Sequence, residues 1–141
     1  MWKFGEQVIT SHNDLHPDCS YIVYVLHYEN GQKYIGKKSV RTVRRLKPTK
    51  KQLEMRKNYV RKEMVNVPFI GYEGSLDKTD CPKLVSKEIL HQCSNKRTAT
   101  YMEVANLFAS NALFSDEYLN KNIGGVYFDN ALDGLIPTNP P

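Results

Sequence analysis

The chain has 141 residues, 40 % hydrophobic and 25 % charged, with a formal net charge of +5, the size and composition of one ordinary globular domain. No run approaches the roughly 18 apolar residues that a membrane-spanning helix needs. Cys19, Cys81 and Cys93 are too few, and odd in number, for a disulfide-stapled scaffold. Met1 to Asp14 has neither a charged start with an apolar stretch nor a small-residue cleavage site, so a cytoplasmic protein with reduced thiols is expected.

Residues 1–19 read as an N-terminal extension. Within it His12, His16 and Cys19 have metal-like spacing, which His91 and Cys93 could complete as a zinc site. Against this, no Cys-x-x-Cys pair occurs and Pro17 breaks any helix that would align the two histidines. From Ser20 to Lys38 a run of β-formers, Tyr21 to Leu26, meets a turn at Glu29-Asn30-Gly31-Gln32 and resumes at Lys33-Tyr34-Ile35-Gly36, which predicts a β-hairpin. A two-residue Asn30-Gly31 loop would point Tyr24 and Tyr34 to opposite faces. A three-residue loop, Glu29-Asn30-Gly31, with Gly31 left-handed, pairs Tyr24 with Gly36 and Leu26 with Tyr34 instead. Both phenols then share a face, and Val23, Val25 and Ile35 form a core stripe on the other.

The charge is concentrated next. Lys37 to Lys62 holds twelve of the chain's 20 lysines and arginines against the single acid Glu54. This stretch carries +11 and the rest is net acidic, an asymmetry that draws phosphate backbones to one face; the plain alternative is a solvated face or a localisation tag. Thr49 and Gln52 form a capping box after Pro48, predicting a helix to about Met64 with the narrow apolar stripe Leu53, Val60 and Met64. The block from Val67 to Cys93 starts with Phe69-Ile70-Gly71-Tyr72-Glu73-Gly74-Ser75, loops to Pro82 and ends in a strand near Lys87 to Gln92. A helix is predicted from Thr98 to about Leu113, with Tyr101, Val104, Ala105, Phe108 and Ala112 on one face and Glu103 within it. Gly124-Gly125 is a turn, and residues 124–141 read as a loose C-terminal tail.

Ile22-Val23-Tyr24, nine residues, then Tyr34-Ile35-Gly36 resembles the signature of the GIY-YIG endonucleases, with Ile22-Val23 in place of Gly-Ile. Arg44, ten residues after Tyr34, falls where that family places an arginine, although Arg41 and Arg45 crowd the position. Glu103 within a helix, followed by Tyr118-Leu119-Asn120, is similar to the family's distal glutamate and late asparagine, and Asn122 competes for the last role. The wording Tyr34-Ile35-Gly36-Lys37-Lys38-Ser39, Gly74-Ser75 and Glu117-Tyr118-Leu119-Asn120 looks like small bacteriophage-encoded members. The resemblance spans residues 20–123. It implies an α+β domain, a three-stranded antiparallel sheet flanked by helices, with a basic helical insertion at about 41–66.

The implied activity is metal-dependent hydrolysis of phosphodiester bonds in DNA, duplex or branched, with limited or structure-dependent sequence specificity, by a monomer or homodimer in a host cytoplasm. The implied catalytic set is Tyr24, Tyr34, Arg44, Glu103 and Asn120. Glu103 would hold one Mg²⁺ or Mn²⁺, because Mg²⁺ keeps most of its waters and asks few protein ligands. One tyrosine would help deprotonate the attacking water, Tyr24 being favoured, while the other positions water and phosphate. A free phenol, at a pKa of roughly 10, needs help to do so at neutral pH. Lys37, Lys38, Arg41, Arg45, Lys50, Lys51, Arg56 and Lys57 would bind the nucleic-acid backbone. Two alternatives stand beside this reading: a non-catalytic nucleic-acid-binding or regulatory module on the same fold, and an RNA endonuclease.

Overall fold

A computed structural model describes residues 1–56, 61–76, 79 and 81–136. The chain forms strands β1 (Trp2–Phe4), β2 (Gln7–Ile9), β3 (Tyr21–Tyr28), β4 (Lys33–Ser39) and β5 (Arg41–Leu46), helix α1 (Lys50–Met55), strands β6 (Arg61–Asn66) and β7 (Leu84–Cys93), helix α2 (Lys96–Ala109), and strands β8 (Asn122–Ile123) and β9 (Tyr127–Phe128). The principal sheet has five strands in the order β2-β1-β7-β3-β4. The α+β class holds, and the expected three-stranded antiparallel sheet is its β7-β3-β4 part. The two further strands come from the segment read as an extension: β1 pairs parallel with β7, and β2 pairs antiparallel with β1.

Strand β3 is central, so both of its faces are buried and its sequence is apolar at nearly every position. On one face Ile22, Tyr24, Leu26 and Tyr28 pack with Trp2, Ile9, Ile89 and Phe69. Trp2 is fully buried, and its indole N–H donates to the Phe69 carbonyl at 3.0 Å, satisfying the one polar atom that burying a tryptophan exposes to loss. On the other face Val23, Val25 and Ile35 pack with Ala99 and Leu107 of α2 and with Ile123. The β3/β4 register pairs Tyr24 with Gly36 and Leu26 with Tyr34, and Gly31 has φ +85°. This is the three-residue loop that the turn residues predict.

Two helical expectations change. The capping box at Thr49 is present, with Thr49 N–H donating to Gln52 Oε1 at 3.0 Å and Gln52 N–H to Thr49 Oγ1 at 3.3 Å. Yet the helix ends at Met55, where Arg56 turns extended. Arg61–Asn66 is then a strand paired antiparallel with Arg41–Leu46. The segment expected as a basic helix is a two-stranded ribbon bearing a short helix. The β-branched residues Thr42, Val43 and Val65 suit it to that form, and Val60 of the expected stripe lies outside the described residues.

Helix α2 starts at Asn95, whose Oδ1 accepts from Thr98 N–H at 2.8 Å, and it runs where expected but rotated. Ala99 and Leu107 are buried, whereas Tyr101 and Phe108 of the predicted apolar face are 72 % and 54 % exposed. The inward face is Ala99, Glu103 and Leu107, spaced one turn apart. Beyond it Gly124 and Gly125, both at positive φ, turn β8 into β9, so the first part of the expected tail is folded and Ile123 is buried. Residues 137–141 of that tail lie outside the described residues.

Candidate active site

Strand β4 is the sheet's edge, and its alternation sends Tyr34 and Gly36 to one face and Ile35 and Lys37 to the other. Tyr24, opposite Gly36, is 1 % exposed. A Cβ on Gly36 would lie 2.5 Å from the Tyr24 hydroxyl oxygen and 3.1 Å from the Tyr34 ring, so the missing side chain is what lets the Tyr24 phenol lie across the edge strand. The YIG glycine is therefore required by packing as well as by motif.

Residues 69–76 cover this face. The Tyr24 hydroxyl donates to the Tyr72 hydroxyl at 3.5 Å with the rings edge to face, and the Tyr34 hydroxyl and Ser75 Oγ are 3.0 Å apart. Buried Lys87 of β7 fixes the segment, donating to the carbonyls of Ile70 at 2.6 Å and Tyr72 at 3.1 Å while sitting over the Trp2 ring. Gly74, at φ +91°, passes so close to Leu26 that a Cβ would be 2.8 Å from its δ-methyl. Tyr72 and Lys87 are site residues that sequence reasoning misses. The signal that could have found Tyr72 is the run Phe69 to Ser75, aromatic and glycine-bearing inside a loop.

Glu103 of α2 reaches the same strand from the other side. Its carboxylate is 3.6 Å from the Lys37 ammonium, with 17 % of its side chain exposed. Burial raises the Glu103 carboxyl above its ordinary range, and Lys37 draws it part of the way back. Burial also pushes the Tyr24 phenol far up, assisted by the Tyr72 hydrogen bond and then by the nearby phenols and Glu103. Tyr34 is raised by burial too, but its bond to Ser75 opposes that, and Glu103 adds to it.

Asn120 is buried and bound at both ends of its amide: Oδ1 accepts from Ile35 N–H at 3.0 Å and Nδ2 donates to Ile35 C=O at 2.8 Å. It acts on β4 as a neighbouring strand would. Asn122 instead accepts from Gly125 N–H in the β8–β9 turn. Of the three candidate arginines, Arg41 is held by the carbonyls of His12, His16, Pro17 and Cys19 at 2.7–3.2 Å. Arg44 and Arg45 are exposed on β5, opposite Glu63 and Lys62. Among the described residues no hydrogen bond or ion pair joins Arg44 to Tyr24, Tyr34 or Glu103.

The remaining predicted backbone binders are spread over β4 and the segment inserted after it. Lys38 lies 5.2 Å from the Tyr72 ring centroid, Lys50, Lys51 and Arg56 are exposed at α1, and Lys57 lies outside the described residues. His12 bonds the Val67 carbonyl, His16 Nδ1 accepts from Asp18 N–H, and Cys19 bonds the Tyr21 carbonyl. Among the described residues no three His, Cys, Asp or Glu side chains gather to hold a metal.

A family model described as "Putative endonuclease segE, GIY-YIG domain" matches residues 2–123. The chain belongs to this GIY-YIG family. The family match begins at β1, in keeping with the place of Trp2 in the core. No curated protein and no solved structure matches the chain. A GIY-YIG domain is a nuclease domain, and its substrate is a nucleic acid.

Proposed function

We propose that this GIY-YIG domain is a metal-dependent endonuclease that hydrolyses phosphodiester bonds in DNA, phage-encoded and of limited sequence specificity. The observation that carries the reading is that β4 gathers the motif residues: Tyr24, opposite Gly36, and Tyr34 share one face, and Lys37 of the same strand faces Glu103 at 3.6 Å from the other. A single carboxylate already facing the ammonium of Lys37 at 3.6 Å suits a cation, and one hard oxygen donor fits Mg²⁺ or Mn²⁺ completed by water and phosphate oxygens better than it fits zinc. Glu103 would hold that ion, which when bound would stabilise charge on the phosphoryl oxygens and acidify water.

The chain's own groups divide the remaining work. Burial makes Tyr24 a poor phenolate, so the division expected from the motif is reversed. Tyr34, less buried and bonded to Ser75, is the better base, taking a proton from the water that attacks phosphorus in line with the leaving oxygen. Tyr24, buried beneath Gly36 and bonded to Tyr72, is a positioning residue that sets the face on which Tyr34 works. Lys37 and Lys38 supply positive charge beside the scissile phosphate, with Arg44 further along the backbone. Asn120 is a positioning residue, holding the strand that carries Tyr34, Gly36 and Lys37.

The test is cleavage of supercoiled plasmid, branched DNA, single-stranded DNA and RNA in parallel, with Mg²⁺ and Mn²⁺. Wild type should cut DNA, Glu103→Gln should not, and Glu103→Gln should still bind DNA in Ca²⁺. Because a phenolate is required, the wild-type rate should rise with pH through the neutral range, and Tyr34→Phe should flatten that rise. Near-normal cleavage by Glu103→Gln would show that the metal site is elsewhere. DNA binding without cleavage of any substrate would replace the enzyme by a binding module, and cleavage confined to RNA would make it a ribonuclease.

A further inference from the structure

The ribbon β5/β6 leaves the nuclease body directly after β4, with only Val40 between them. Its register is Thr42–Val65, Val43–Met64, Arg44–Glu63 and Arg45–Lys62. Alternation therefore puts Val43–Met64 and Arg45–Lys62 side by side on one face. This face has two features that folding does not account for. Val43 and Met64 are 54 % and 48 % exposed, an apolar cross-strand pair left about half open to solvent. Arg45 and Lys62 are like charges directly opposite one another, an arrangement that destabilises a free hairpin. Among the described residues neither has an acidic partner at ion-pair distance. Both features are resolved by a polyanion that also offers apolar surface. A second copy of this chain does not fit, because two such lobes repel.

We infer that this ribbon lies in the major groove of duplex DNA, with Val43 and Met64 against base edges and Arg45 and Lys62 on the flanking phosphates. The B-form major groove, about 12 Å wide, admits a two-stranded ribbon, and its base edges carry apolar thymine methyls. The major groove of an RNA duplex is too narrow and deep for side chains to read. Six-residue strands reach about 20 Å, so the bases read would lie within roughly one or two helical turns of the cut. The orientation of the ribbon relative to a cut rests on the endonuclease reading above; the groove contact itself does not.

The experiment is selection of bound duplexes from a randomised DNA library by the full chain in Ca²⁺, without cleavage, alongside binding to an RNA duplex. Wild type should enrich a short degenerate motif and bind the RNA duplex more weakly. Val43→Ser/Met64→Ser should erase the motif and leave the salt dependence of binding unchanged. Arg45→Ala/Lys62→Ala should weaken binding to all DNA duplexes alike and flatten the log–log salt slope by up to about 1.8, at about 0.9 per neutralised phosphate. Melting curves accompany both, and Val43→Thr with Met64→Gln serves if the serine variant unfolds. An unchanged motif in the serine variant, no motif in wild type, or equal binding of the RNA duplex overturns the inference. A motif in a protein that cuts nothing would keep the ribbon and discard the nuclease.

Discussion

Gly36 sits where the Tyr24 hydroxyl needs room, and Tyr24 has none to give because it is buried against Trp2 and Tyr72. Gly36→Ala should therefore cost about 1–3 kcal/mol in urea denaturation, as overpacking does, and should slow cleavage by displacing the phenol. Glu103 poses the opposite case, a carboxyl held largely out of water beside a single ammonium. Its carboxyl is raised from an ordinary 4.5 chiefly by burial, so the protonated form is the one the fold favours. That contribution is fully present below pH 4.5 and is lost as pH rises through the folded value. Glu103→Gln, neutral throughout, should melt above wild type at pH 7 and level with it below about pH 4, as scanning calorimetry can measure. The tyrosines and Glu103 are legible because side-chain chemistry is written in the sequence. Tyr72 is not, since its part depends on where the loop after Val67 folds back.

Among the elements, the β3/β4 hairpin is readable to its register because Glu29-Asn30-Gly31 has turn chemistry that fixes which side chains share a face. Strands β1 and β2, three residues each, are too short to show a period, and only tertiary pairing with β7 makes them strands. The α1 capping box marks a true beginning, but a start signal does not say where a helix stops. In α2 the apolar pattern points to the Tyr101 and Phe108 face, while the packing turns Glu103 inward. Arg41 shows how an element can consume a charge: its guanidinium gathers four carbonyls of residues 12–19 and fastens that turn to the base of the ribbon. Arg41→Ala should cost about 2–4 kcal/mol in urea denaturation, given charge-assisted bonds of about 1.5–3 each that are not additive. Arg41→Lys should recover little of it, and the salt slope of DNA binding should stay the same in both.

At the scale of the whole molecule the charge is split between a basic lobe and an acidic body, and the lobe is a projection rather than a packed helix face. Replacing exposed Lys50, Lys51 and Arg56 with alanine should leave the melting temperature nearly unchanged, weaken binding to every DNA sequence alike, and lower the salt slope by about 0.9 for each phosphate no longer neutralised. The other end of the chain has the contrary task. Residues 117–120 run alongside β4: Lys33 N–H donates to Glu117 C=O and Leu119 N–H to Lys33 C=O, both at 2.7 Å, before Asn120 takes both polar groups of Ile35. The border strand thereby presents no bare row of amides and carbonyls there, the kind of row onto which a stray strand adds. The same segment that steadies the strand carrying Tyr34 and Gly36 is thus a sheath against fibrillar or swapped assembly. A chain ending at Leu113 would bare that row, and light scattering should show it aggregating at concentrations where the full chain stays dispersed.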